Sequence, residues 1–155
     1  MNRAETIEIS AVIPAFNEEE ALPPLLDEVF AVLNELNRPF EVIVIDDGST
    51  DGTPAFLERR RETTPGLRVL TLVPNSGQTA AFEAGFSAAR GEFLITMDAD
   101  GQNDPADIPH MMELTPGVDA VLGVRAKRQD PWIRTFAQKT ANAIRNRLLG
   151  ITFQD

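Results

Sequence analysis

The sequence contains no cysteine. Disulfides, thiol nucleophiles and Cys-ligated zinc or iron–sulfur sites are therefore excluded. Histidine occurs once, at His110, which excludes a His-rich metal site within one chain. No stretch approaches the roughly 20 consecutive apolar residues of a membrane span. The opening MNRAETIEIS lacks the apolar core of a signal peptide. Basic residues are few: Lys plus Arg is 14 against 24 Asp plus Glu, a formal net charge of −10. That balance argues against nucleic-acid binding, which wants a strong basic field. There is no P-loop and no Gly-x-Gly-x-x-Gly, which argues against a nicotinamide-binding domain. Neither an internal repeat nor a low-complexity linker is present.

What is present is ordinary for a soluble globular protein. The chain has 155 residues, 43% apolar and 25% charged. That is room for one domain, expected over 1–155, burying roughly 68–70% of its unfolded surface. The charge is uneven. From residue 125 onward there are seven basic residues (Arg125, Lys127, Arg128, Arg134, Lys139, Arg145, Arg147) and two acids (Asp130, Asp155). An acidic body thus precedes a basic tail.

Alternation of elements predicts an α/β fold. Residues 7–13 (IEISAVI) read as a buried strand. Asn17 is placed to cap the next helix, with Glu18, Glu19 and Glu20 in its first turn. Leu22, Leu25, Leu26, Val29, Phe30, Leu33 and Leu36 then recur at helical spacing, and Pro39 ends the run. Residues 40–45 (FEVIVI) are a second strand. Thr53 and Pro54 read as cap and first helical residue of a short helix to about Thr63. Strands follow at 67–73, 92–97 and 119–124. Helices are expected at 78–90, about 105–114 and about 131–149. His110 reads as structural or exposed, and Met111 and Met112 as core contacts. Five strand–helix alternations imply right-handed βαβ units: a mostly parallel sheet in a three-layer α/β/α sandwich.

The strands are nearly free of charge, and polar clusters sit just after them. Asn17–Glu18 follows the first, Asp46-Asp47-Gly-Ser-Thr-Asp51 the second and Asn75-Ser-Gly-Gln78 the third. Asp98-Ala99-Asp100-Gly-Gln102 follows the fourth and Arg125 the fifth. In an open α/β sheet such loops share the carboxyl edge, where ligands bind. At extended spacing Asp98, Asp100 and Gln102 project to one side. They would offer hard oxygen ligands to Mg²⁺ or Mn²⁺. The bland alternative is that both aspartates cap a turn. Asp47 could accept from a nucleobase N–H or ribose hydroxyl, or serve only an Asx turn. Gln78 reads as a helix cap.

Five segments together carry a resemblance: VIPAFNEEE (12–20), VIDDGSTDGT (44–53), NSGQTAAFEAG (75–85), GEFLITMDADGQNDPADIP (91–109) and GVRAKR (123–128). In this order they resemble the family 2 glycosyltransferases of GT-A fold. The branch they look most like is the polyprenyl-phosphate sugar transferases, the dolichol-phosphate mannosyltransferase-like proteins. The resemblance implies that Pro14, Ala15, Phe16, Asn17 and Glu18 line a nucleotide pocket. It implies that Asp47, with Asp46 beside it, meets the base. Asp98, Ala99 and Asp100 would lie at the nucleotide, with Asp98, Asp100 and Gln102 holding the divalent metal. Arg125 and Arg134 would approach the diphosphate. Asp98, Asp100 and Arg125 would then be the catalytic set.

The implied reaction takes a GDP- or UDP-linked sugar and passes it, with inversion, to a polyprenyl (dolichyl-type) phosphate. The alternatives are transfer to a saccharide hydroxyl, a non-catalytic nucleotide-sugar-binding fragment, and a phosphotransferase using the carboxylate pair. In proteins of this kind an aspartate at the position of Asp155 opens the acceptor-side motif. The sequence therefore reads as a donor-binding half with most of the acceptor half missing. The expected location is cytoplasmic, with peripheral contact at the cytoplasmic face of the membrane through the basic helix from Pro131 to Gly150.

Overall fold

Two aliphatic strands build the centre of the sheet. The computed structural model describes residues 6–123. The chain divides into two units, Met1–Glu113 and Leu114–Asp155. All regular elements described fall in the first. In chain order they are β1 (Ile9–Ala15), α1 (Leu22–Glu35), β2 (Phe40–Asp46), α2 (Thr53–Thr63), β3 (Leu67–Thr71), α3 (Gln78–Ala88), β4 (Phe93–Thr96) and α4 (Ile108–Glu113). A 3-10 turn, Pro105–Asp107, leads into α4. All strand pairs are parallel, in the order β3-β2-β1-β4.

The chain moves outward from β1 to β3, then returns across the sheet to β4. Right-handed crossovers put helices of opposite travel on opposite faces. One apolar cluster accordingly joins Leu22, Leu26, Val29 and Leu33 of α1 and Leu57 of α2 to Ile9, Ala11, Ile13, Val42 and Val44. The other joins Ala81 and Phe82 of α3 to Val12, Ile43 and Ile45. Successive strand residues thus feed opposite layers, as the two-residue period requires. This is the expected three-layer α/β/α sandwich. Gly85 lets α3 lie close on the sheet. A Cβ there would fall 2.8 Å from Ile45 Cδ1, and it would also strike Val12 Cγ1. Gly85→Ala is therefore expected to cost about 1–3 kcal/mol by overpacking. A urea unfolding midpoint equal to wild type would show that the helix is free to shift.

Several boundaries differ from expectation for identifiable reasons. β1 runs through Pro14 to Ala15. Asp47 N–H donates to Ala15 O on the β2 side, and Met97 N–H donates to Val12 O on the β4 side. Alternation puts Pro14 on the β4 side, and pairing with β4 stops at Val12. No ladder bond is lost at its missing N–H. Helix α1 starts at Leu22 with Ala21 as N-cap and no side-chain cap. Asn17 does not cap it. Asn17 sits at φ 56° and turns the chain instead, a conformation asparagine tolerates. Glu18–Glu20 lie before the helix, and Pro23 and Pro24 fit its first turn. Thr53 is the first residue of α2, not its cap, which is Gly52.

The expected fifth strand is not seen over its described part, 119–123. A strand requires ladder partners. The described sheet has four strands, and Leu122 is 81% exposed. Residue 124, the helix expected at 131–149, and Asp155 lie outside the described residues.

Opposite the strands' carboxyl ends lies a buried ionic cluster. Glu41 is fully buried on β2. Its Oε1 accepts from Ser10 Oγ at 2.8 Å and from Arg90 N–H at 2.8 Å. Its Oε2 accepts from Arg68 at 2.8 Å and from Arg90 Nη2 at 2.6 Å. Gly91 makes room for this junction. A Cβ there would lie 2.6 Å from Ser10 N.

Candidate functional site

The order β3-β2-β1-β4 reverses direction between β1 and β4. In open parallel sheets a crevice opens at such a switch point, outside the carboxyl ends of the strands. A cleft of about 300 Å³ lies there. It is lined by Pro14, Ala15, Phe16 and Glu18 after β1, Asp47 after β2, Gln78 at the start of α3, and Asp98, Ala99 and Asp100 after β4.

Each wall is held by polar bonds between loops. Asn17 N–H donates to Ser49 Oγ at 2.9 Å, and Asn17 Oδ1 accepts from Thr50 N–H at 2.7 Å. Glu18 N–H donates to Thr53 Oγ1 at 2.9 Å. Glu19 Oε2 accepts from Gly52 N–H at 2.6 Å. Asp51 also receives Glu19 N–H and Thr53 N–H. Burial works to raise its carboxyl, but hydrogen bonds from Thr53 and Glu19 prevail and lower it. Phe16, at the mouth, is 46% exposed. A large aromatic left half-bare at a cleft offers a flat stacking surface.

Asp46 and Asp47 divide their duties. Asp46 is buried and turns the chain by accepting from Ser49 N–H at 3.0 Å. It does not line the cleft. Asp47 is 4% exposed, yet it reaches the cleft wall. Its Oδ1 and Oδ2 accept from Ser76 N–H and Gly77 N–H, each at 2.8 Å. Asn75 Nδ2 donates to its backbone carbonyl at 2.8 Å. Gly48, at φ 74°, allows this approach, because a Cβ there would meet Asn75 N at 2.9 Å.

The segment after β4 is a turn and not extended strand, with Gly101 at φ 70°. The expected alignment of three side chains therefore holds only for Asp98 and Asp100, which both line the cleft. Gln102 is exposed, does not line it, and donates its N–H to Asp100 Oδ1 at 3.0 Å. Asn103 Oδ1 accepts from Asp98 N–H at 3.1 Å. Gln78 makes no cap. Gly77 is the N-cap of α3, without a side-chain cap bond. The Gln78 amide instead donates to Asp98 Oδ1 at 2.7 Å. Gln78 was legible only as one more polar residue at the carboxyl edge. Its partner is 20 residues away in sequence.

Four carboxylates thus share one cleft: Glu18, Asp47, Asp98 and Asp100. Burial, then the charge of Asp100, then that of Asp51, raise the Glu18 carboxyl above its ordinary value. The wall is short of positive charge. No Lys or Arg lines it among the described residues. Nor do the described residues hold a group of three His, Cys, Asp or Glu side chains preassembled for a metal. Arg125 and Arg134 lie outside the described residues. Away from the cleft, His110 is exposed, 3.6 Å from Glu113, and Met112 packs against the larger apolar cluster. No helix among the described residues is long and apolar enough to cross a membrane.

Comparison with known proteins agrees with this architecture. The chain is similar to undecaprenyl-phosphate 4-deoxy-4-formamido-L-arabinose transferase of Serratia proteamaculans, 40% identical over 159 residues, covering 100% of this chain and 48% of that protein. The chain spans about half the length of the curated relatives it matches. Among solved structures it is similar to the mannosyltransferase PcManGT from Pyrobaculum calidifontis, in complex with GDP-Man and Mn²⁺. Identity there is 29% and TM-score 0.60, covering 76% of this chain and 35% of that one. Glucosyl-3-phosphoglycerate synthase from Mycobacterium tuberculosis shares the fold, with TM-score 0.63 at 23% identity, over 92% of this chain and 52% of that one. The model of the family described as "Glycosyl transferase family 2" matches residues 10–154, from the first strand onward through the carboxylate cleft, and the chain belongs to that family.

Proposed function

We propose that this chain binds a nucleoside diphosphate sugar through a divalent cation and serves in transfer of the sugar to a polyprenyl phosphate. The observation that carries the reading is the cleft at the β1/β4 switch point. It sets Asp98 and Asp100 against Glu18 with no cationic side chain among the described lining residues. Such a wall wants a cation, and carboxylate oxygens are hard donors suited to Mg²⁺ or Mn²⁺. The raised Glu18 carboxyl fits the same view, since Asp100 contributes to it. The transferase named for the Serratia relative and the GDP-Man and Mn²⁺ of the Pyrobaculum complex support it from outside.

In this reading Asp98 and Asp100 hold Mg²⁺ or Mn²⁺. A bound cation of this kind neutralises charge on a departing diphosphate. Phe16 and Asp47 face the nucleoside part, by stacking and by hydrogen bonding. The cations proposed to meet the diphosphate are Arg125 and Arg134, which lie outside the described residues. An acceptor phosphate oxygen attacks the anomeric carbon with inversion. That C–O bond forms as the bond to the diphosphate breaks, and the nucleoside diphosphate leaves. The acceptor is already an anion at neutral pH, so no proton needs removal. The protein's contribution is then electrostatic and positional. We also propose peripheral contact with the cytoplasmic face of the membrane, where the chain would meet such an acceptor.

The test is incubation with radiolabelled GDP- or UDP-linked sugar, Mn²⁺ and undecaprenyl phosphate. A lipid-extractable labelled product is expected. Donor binding without product would favour the second reading, a donor-binding part alone. Transfer to a saccharide hydroxyl instead would replace the acceptor and keep the donor site.

A further inference from the structure

We propose that Gln78 is a positioning residue for Asp98, and that its hold on one carboxylate oxygen biases the site toward a small divalent cation over Ca²⁺. The proposal rests on the reading above that Asp98 ligates a divalent cation.

The geometry begins with the 2.7 Å bond from Gln78 Nε2 to Asp98 Oδ1. Gln78 is exposed, but the backbone that carries it is held on both sides. The two residues before it, Ser76 and Gly77, are bonded through their N–H groups to the two oxygens of buried Asp47. One face of α3 is pressed onto β1 and β2 at Gly85. The helix therefore has little freedom to slide, and its first side chain reaches Asp98 from a fixed origin. Helix capping does not explain this side chain, because α3 has no side-chain cap bond.

The chemical consequence follows from coordination preferences. Ca²⁺ takes 6–8 oxygens at flexible geometry and often takes a carboxylate through both oxygens. Mg²⁺ demands near-octahedral geometry and usually takes one or two carboxylates along with phosphate oxygens and water. An amide hydrogen on Oδ1 competes with a second bond to that oxygen and favours one-oxygen ligation. It also fixes the rotation of the carboxylate. Partners of this kind typically change metal affinity 10–100-fold when removed.

The test uses the full chain with GDP or UDP present. Mn²⁺ binding is read from loss of the free-ion EPR signal, Ca²⁺ binding from competition, and folding from the melting temperature. Gln78→Met keeps the length and removes the donor. It is expected to weaken Mn²⁺ binding about tenfold or more, to narrow the Mn²⁺/Ca²⁺ affinity ratio, and to leave melting unchanged. Gln78→Asn keeps a donor on a shorter arm and is expected to fall between wild type and Gln78→Met. Wild-type affinities and ratio in Gln78→Met would overturn the proposal, as would Asn and Met variants with equal losses. Failure of the wild-type chain to bind Mn²⁺ with either nucleotide would overturn the cation reading itself, and this inference with it.

Discussion

Asp98→Ala and Asp100→Ala are each expected to abolish cation-dependent binding of a nucleotide sugar, a loss of about a hundredfold or more. The scale follows because removing a ligand should cost at least as much as removing the partner that orients it, which typically costs 10–100-fold. Asp98 and Asp100 both line the cleft, and Asp98 is already oriented by Gln78. Stability should change little in Asp100→Ala, since Asp100 is exposed and accepts from the backbone N–H of Gln102 in its own turn. Isothermal titration with and without Mn²⁺, beside a thermal melt, separates lost binding from lost fold. Unchanged donor affinity in either variant would remove that residue from the metal site.

The second large effect lies at the other edge of the sheet. Burial alone would raise the Glu41 carboxyl, but hydrogen bonds from Arg90, Arg68 and Ser10 outweigh it and hold it at about 2, against an ordinary 4.5. A carboxyl lowered on folding contributes stability that is complete above its unfolded value. That stability is lost as pH falls from about 4.5 through about 2. The shift corresponds to about 3 kcal/mol at neutral pH. Glu41→Gln is therefore expected to lower stability by about that amount at pH 7 and to flatten the acid limb of the stability curve. Urea melts at pH 7 and pH 3 measure both. An acid limb as steep in Glu41→Gln as in wild type would assign the acid sensitivity to other groups.

Much of the framework was legible because it rests on local pattern. The Leu22 to Leu33 spacing marks α1 correctly, and the aliphatic runs mark β1 and β2 to within two residues. The placement of Asp98 and Asp100 followed from the sheet rule that loops after parallel strands share an edge. What escaped depends on contacts distant in sequence. Asn17 has the composition of a cap, yet its carbonyl serves Thr50, 33 positions on. Glu41 sits in FEVIVI like any interruption of a strand. Its arginines arrive 27 and 49 residues later. The 119–123 run has strand composition, but composition does not supply a ladder partner. Gln78 shows the same limit inside the site itself.

The most direct measurement is calorimetric titration of the chain with GDP-linked and UDP-linked sugars, with Mn²⁺ and again with EDTA. Saturable binding of one donor class that requires Mn²⁺ is the predicted result. Absence of binding by both donors in Mn²⁺, from a chain shown to be folded by its melt, would contradict the proposed function.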